Sequence, residues 1–209
     1  VLDAGHGGSQ PGAVRAWSAA EKDINLRVTL ALADRLWAAG RWEVVLTRAT
    51  DQKRSIGARY RQSNRTPGRK TAFVSIHSNA GGGGSGDRRG TMVIWSSRQR
   101  HGPRRRSERL AACVGASLRD AGYPRLGGER MPIRKARRQK RHYVATDPRF
   151  GSFATSTRRL GVLDHNRHPA VLVETHWLDN PADVAAFQTD RSIARFSRAL
   201  ETALVTFFG

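Results

Sequence analysis

Acidic residues are scarce in this sequence: 17 aspartates and glutamates stand against 37 lysines and arginines, a formal net charge of +20. Such a chain carries a strong, salt-sensitive field that attracts polyanions. Cysteine is scarcer still. The lone Cys113 excludes a disulfide within the chain and argues against cysteine-based zinc binding, so a metal here calls for histidine and carboxylate. No run reaches the ~20 apolar residues that a bilayer crossing needs, and no basic-then-apolar leader precedes the first strand pattern. Val1 already reads as the interior of a strand, so a leader or another domain is expected upstream.

With 209 residues the chain suits one domain carrying an elaborate insertion. Its charge is unevenly spread. Between Arg98 and Arg159 lie 18 of the 37 basic residues against four acidic ones, Glu108, Asp120, Glu129 and Asp147. A basic insertion is therefore placed at about 123–159, where no sustained period is visible and the length is unusual for a plain loop. "NAGGGGSGDRRG", after His77, reads as a second loop by composition.

Apolar, β-branched runs bounded by turn residues predict strands at "VLDA", "EVVLT", "AFVSIH", "TMVIW" and "AVLVET". Several are apolar on both faces. The expected fold is thus α/β, a mostly parallel twisted sheet of about six strands covered by helices on both faces. "EKDINLRVTLALADRLWAAG" carries Ile24, Val28, Leu32 and Leu36 on one helical stripe and stops at Gly40, and "RRRSERLAACVGASLRDAG" repeats the device with Leu110, Val114 and Leu118 up to Gly122. Asn180 is expected to cap "PADVAAF", and Asp190 to cap a closing helix with Ile193, Phe196, Leu200, Leu204 and Phe207 inward.

Three of these strands end on polar groups able to bind a metal: His6, His77 and Glu174. In an open α/β sheet the carboxyl ends of the strands form one rim, where ligands bind. Glu21, in the first turn of the helix after strand one, can point at the same rim. Two imidazoles and a carboxylate with an open position make a common catalytic metal set, and a further carboxylate supplies a general base. The assignment is His6, Glu21 and His77 as ligands, with Glu174 as catalytic base. Gly5, Gly7 and Gly8 permit the sharp turn around His6.

The blocks "LDAGHGGSQPGAV", "EKDINLRVTLALADRL", "VVLTRATDQKRSIGARYRQSN", "AFVSIHSNAG" and "PAVLVETHWLDNPADVAAF" together resemble the zinc-dependent N-acetylmuramoyl-L-alanine amidases of the type 3 catalytic domain. The resemblance covers most of residues 1–95 and 160–209. It implies one Zn2+ per chain on His6, Glu21 and His77, with Glu174 as the catalytic glutamate, and it selects zinc among the divalent ions such ligands admit. It implies peptidoglycan as substrate and a periplasmic, extracellular or cell-wall location. Asn79 falls at a family position near the metal, with substrate binding as its candidate role.

The sequence departs from the family at His176, where a small residue is usual. Two residues after Glu174 in an extended chain, His176 is expected to share its face, either contacting substrate, tuning Glu174 or standing solvated in a loop. A larger departure is the basic insertion itself, whose charge favours an anionic cell-wall polymer. The rival reading is a polyanion-binding module with a vestigial amidase site. Against nucleic acid stand the few aromatics of the basic stretch, Tyr143, Phe150 and Phe153, and the lack of a recognised motif. A zinc amidase or peptidase of different substrate is the other alternative, and the sequence leaves the oligomeric state open.

Overall fold

A computed structural model describes residues 1–81, 88–96, 98–124, 144–146, 154–156 and 160–209. The elements follow in the order β1 (Leu2–Ala4), α1 (Glu21–Ala38), α2 (Ile56–Arg65), β2 (Phe73–Asn79), β3 (Met92–Trp95), α3 (Arg104–Asp120), β4 (Val144–Thr146), β5 (Ala154–Ser156), α4 (Gly161–Asp164), β6 (Ala170–Trp177), α5 (Pro181–Phe187) and α6 (Asp190–Phe208). The basic segment read at about 123–159 lies outside the described residues, apart from Tyr123, Pro124 and the backbone of β4 and β5.

The central sheet has four strands in the order β1-β2-β6-β3. The first three are parallel and β3 is antiparallel to β6; β4 and β5 form a separate antiparallel pair. The expectation of about six mostly parallel strands is therefore corrected to four strands in a mixed sheet. "EVVLT" does not extend the sheet, because β1 is only three residues long and meets it in a single parallel bridge, Leu2 to Leu46. "TMVIW" runs antiparallel to β6: β2 ends at Asn79 and β3 begins at Met92, a connection at the short limit for a parallel crossover, which takes about a dozen residues or more.

Side chains alternate across the sheet. Val74, Ile76, Val93, Val171 and Val173 pack against the inner stripes of α1, α3 and α6. Ile24, Val28, Leu32, Leu110, Val114, Leu118, Phe196 and Leu200 are all buried there, each worth roughly 1.5–3 kcal/mol relative to exposure. On the other face Phe73, Met92, Ile94, Ala170 and Leu172 meet Val162 and Leu163 of α4. The closing helix is capped one residue earlier than expected: the Thr189 side chain, not Asp190, accepts from the Ser192 amide. Asn180 caps α5 by accepting from the Asp183 amide at 3.1 Å.

Candidate metal centre

Because β1, β2 and β6 run parallel, their carboxyl ends open on one rim. His6 follows β1 in a left-handed conformation, φ 60°, and His77 lies in β2 directly opposite Glu174 of β6. Glu21 is the first residue of α1. Most of β2 and all of β6 but one residue are buried; the partly open positions are His77, Asn79 and Glu174. In β2 and β6 the partly open residues are thus all polar and lie at this edge.

Glu21 is the hub. Its Oε1 lies 3.1 Å from His6 Nε2 and 3.0 Å from His77 Nδ1, and the two imidazole rings stand edge to face with centroids 5.0 Å apart. One donor atom from each of the three residues falls within 4.8 Å of the others. Two imidazoles and one carboxylate around a common point fit a tetrahedral zinc site with one position left for water or substrate. The walls have been cut back to allow it. A Cβ on Gly5 would lie 2.3 Å from the His77 ring, and one on Gly12 would lie 2.5 Å from Glu21 Oε2 and 2.8 Å from His6 Cδ2.

Burial of the Glu21 carboxylate pushes its pKa up, but hydrogen bonds and charge interactions with His6 and His77 outweigh this and hold it well below the usual carboxylate range. For His77 burial acts downward, yet its bond to Glu21 and the nearby Glu174 charge leave its pKa raised. The cluster thus holds an ionised carboxylate beside an imidazole, His77, whose positive form is favoured. A divalent cation answers the same field.

A hydrogen-bonded frame holds these groups. The Ala13 amide donates to Glu21 Oε2 at 2.9 Å, and the Asn25 amide and the Ser78 backbone reach Oε1 at 3.4 and 3.3 Å. Beneath His6, Arg59 donates to the carbonyls of Ala4 and His6, each at 2.6 Å, while pairing with the buried Asp3 at 2.6 Å. Arg48 donates to the carbonyls of Ala4 and Gly5, each at 2.9 Å. Asp3 also accepts from Thr47 and Ser75. Reading the sequence missed this frame. Two buried arginines look like any others in a chain with 37 basic residues, and only Asp3, an acid inside an apolar strand, signals it.

His176 is elsewhere. β6 has an extra residue after Glu174, so that Thr175 and His176 together oppose Ser78 before Asn79 pairs with Trp177. That bulge turns His176 into the core at 1% exposure, stacked on Phe187 with centroids 4.5 Å apart. Burial lowers its pKa to about 3. The side chain is neither solvated nor on the Glu174 face, and it has no surface to offer a substrate. Asn79 lies at the rim, half-buried, beyond His77.

The sequence pattern of the family described as N-acetylmuramoyl-L-alanine amidase matches residues 1–205. The chain belongs to this amidase family. Among curated relatives of this chain, the endolysin of Bacillus phage SPP1 is 31% identical over 189 residues, which is 90% of this chain and 58% of the relative; the chain thus spans less than two thirds of that relative. The N-acetylmuramyl-L-alanine amidase Ami1 of Mycobacterium smegmatis superposes with a TM-score of 0.80 at 20% identity, covering 100% of this chain and 95% of the other. An N-acetylmuramoyl-L-alanine amidase of Clostridium difficile 630 gives 0.74 at 21%, covering 99% and 94%. These two likenesses are of fold. Among the described residues of the chain, no helix is long and apolar enough to cross a membrane.

Proposed function

We propose that this chain hydrolyses the amide joining N-acetylmuramic acid to L-alanine in peptidoglycan, as a zinc enzyme with one Zn2+ held by His6, Glu21 and His77. The observation that carries the reading is the convergence of those three donors within 4.8 Å, beside a carboxylate on the neighbouring strand, in a chain whose family pattern spans residues 1–205.

Zinc, when bound, supplies a Lewis acid for the scissile carbonyl and lowers the pKa of water. Glu174 accepts a proton from the attacking water and returns it to the departing L-alanine amine. Glu174 lies opposite His77 in the strand register and outside the group of three convergent donors, which supports a base rather than a ligand. His6 and His77 hold Glu21 ionised, and the Asn25, Ser78 and Ala13 donors orient it, which suits a metal ligand rather than a competing base. Asn79, on the same rim, is assigned to hold substrate. The reading locates the enzyme at the cell wall, periplasmic or extracellular. The excess positive charge is assigned to anionic wall polymer, largely through the basic segment.

The test is to incubate zinc-loaded protein with purified peptidoglycan and follow new L-alanine amino termini by mass spectrometry, beside a His77→Ala control. Release that requires both zinc and His77 is expected. Intact zinc-bound protein that releases nothing would instead favour a polyanion-binding module.

A further inference from the structure

Four large apolar side chains are conspicuously exposed among the described residues: Val14, Trp17, Trp37 and Ile56. Trp37 and Ile56 lie on separate helices. Val14 and Trp17 share one loop, 55% and 50% exposed, and that loop is part of the rim. Gly12 packs on Glu21 and His6, and the Ala13 amide is bound to Glu21 Oε2. Two exposed apolar side chains on a loop bound to the proposed ligands offer a surface to a substrate at that rim.

The loop is also built rigid. The indole Nε1 of Trp17 donates to the Leu178 carbonyl at 3.1 Å, and the Leu178 amide donates in turn to the Asn79 carbonyl at 2.8 Å. Arg15 pairs with Asp179, which also accepts from the Gly81 amide at 2.6 Å. Gln188 donates to Ser18 at 3.3 Å. The loop is therefore tied at one end to a proposed zinc ligand and at the other to the turn after β6. With its N–H already engaged, Trp17 has only its ring face and carbocyclic edge to offer.

We propose that Trp17, with Val14 beside it, is a platform for a pyranose ring of the glycan strand, next to the amide that is cut. This rests on the peptidoglycan reading above. A flat, fixed indole matches the patch of C–H groups on a sugar ring, and it needs no ordering when the sugar arrives. The alanine methyl on the other side of the scissile amide is too small to use such a face.

The test compares the zinc-loaded parent with Trp17→Ala and Trp17→Phe. One assay measures equilibrium binding of a peptide-free tetrasaccharide of N-acetylated amino sugars, and a second measures steady-state turnover of a soluble muropeptide. Thermal melts check that each variant is folded. Trp17→Ala is expected to weaken sugar binding by about tenfold and to place its loss of kcat/KM in KM, with Trp17→Phe in between. The proposal is overturned if the parent has no affinity for the tetrasaccharide, if Trp17→Ala binds it as the parent does, or if only binding of the free stem peptide suffers. The two readings fail separately. A parent that cleaves muropeptide with the KM of Trp17→Ala leaves the amidase standing without the platform, whereas a parent that binds sugar through Trp17 and cleaves nothing leaves the platform without the amidase.

Discussion

His77 and Glu174 are direct partners across two parallel strands, and immediately beyond them the register breaks. Neighbouring strands lie about 4.8 Å apart, so the pairing fixes an imidazole and a carboxylate side by side on one face of the sheet. The break then sends His176 into the core. One extra residue in β6 thus separates the proposed base from a buried core residue two positions away.

Glu174→Gln keeps the shape of the side chain and removes the proton acceptor. Zinc binding, followed by titration calorimetry, is expected to match the parent. Turnover of muropeptide is expected to fall by roughly 10²–10⁴. Retained turnover would take the role of base away from Glu174.

Gly5→Ala tests the cut-back wall. Its Cβ would meet the His77 ring at 2.3 Å, and the ring has to turn away from Glu21. Zinc affinity is expected to drop by ~10–100-fold, the scale on which the surroundings of ligands act. The far-ultraviolet circular dichroism spectrum is expected to stay that of the parent.

Arg59→Lys keeps the charge and loses the planar fork that reaches Asp3, Ala4 and His6 together. With side chains 6% and 1% exposed, the Arg59–Asp3 pair has little access to water, and removing a partner from such a pair costs about 3–5 kcal/mol. Lysine is expected to lose part of this as a lower melting temperature. It is also expected to weaken zinc binding, because His6 loses the donor on its carbonyl. An unchanged zinc affinity would limit Arg59 to holding the fold.

His176 gives the fold a dependence on acid. Its pKa is about 3 when folded against 6.5 for the ordinary side chain, so its contribution is complete above pH 6.5. As pH falls from 6.5 towards 3, the unfolded chain takes up a proton that the folded one refuses. Stability then declines by up to about 1.4 kcal/mol per pH unit. In denaturant titrations with chelator present, His176→Phe is expected to show a shallower decline over that window than the parent. Parallel curves would mean that the folded protein accommodates the charge.

Much was legible before any coordinates. The stripe Ile24, Val28, Leu32 and Leu36 announces α1 because a helix repeats its face at a fixed period, and all four side chains are buried. The rim was legible because parallel strands turn their carboxyl ends one way, which brings His6 and His77, far apart in the chain, together at Glu21. The polarity of β3 was not, since "TMVIW" reads alike in either direction. His176 was misplaced because alternation assumes an unbroken ladder.

The sequence by itself determined the helical stripes, the donor types and their order along the chain, since these follow from local periodicity and side-chain chemistry. Tertiary structure alone decided that the sheet is mixed, that Arg48 and Arg59 turn inward beneath His6, that β6 bulges after Glu174, and that Trp17 stands fixed and open at the rim. Each depends on partners far away in the chain, and no local pattern carries the identity of a partner.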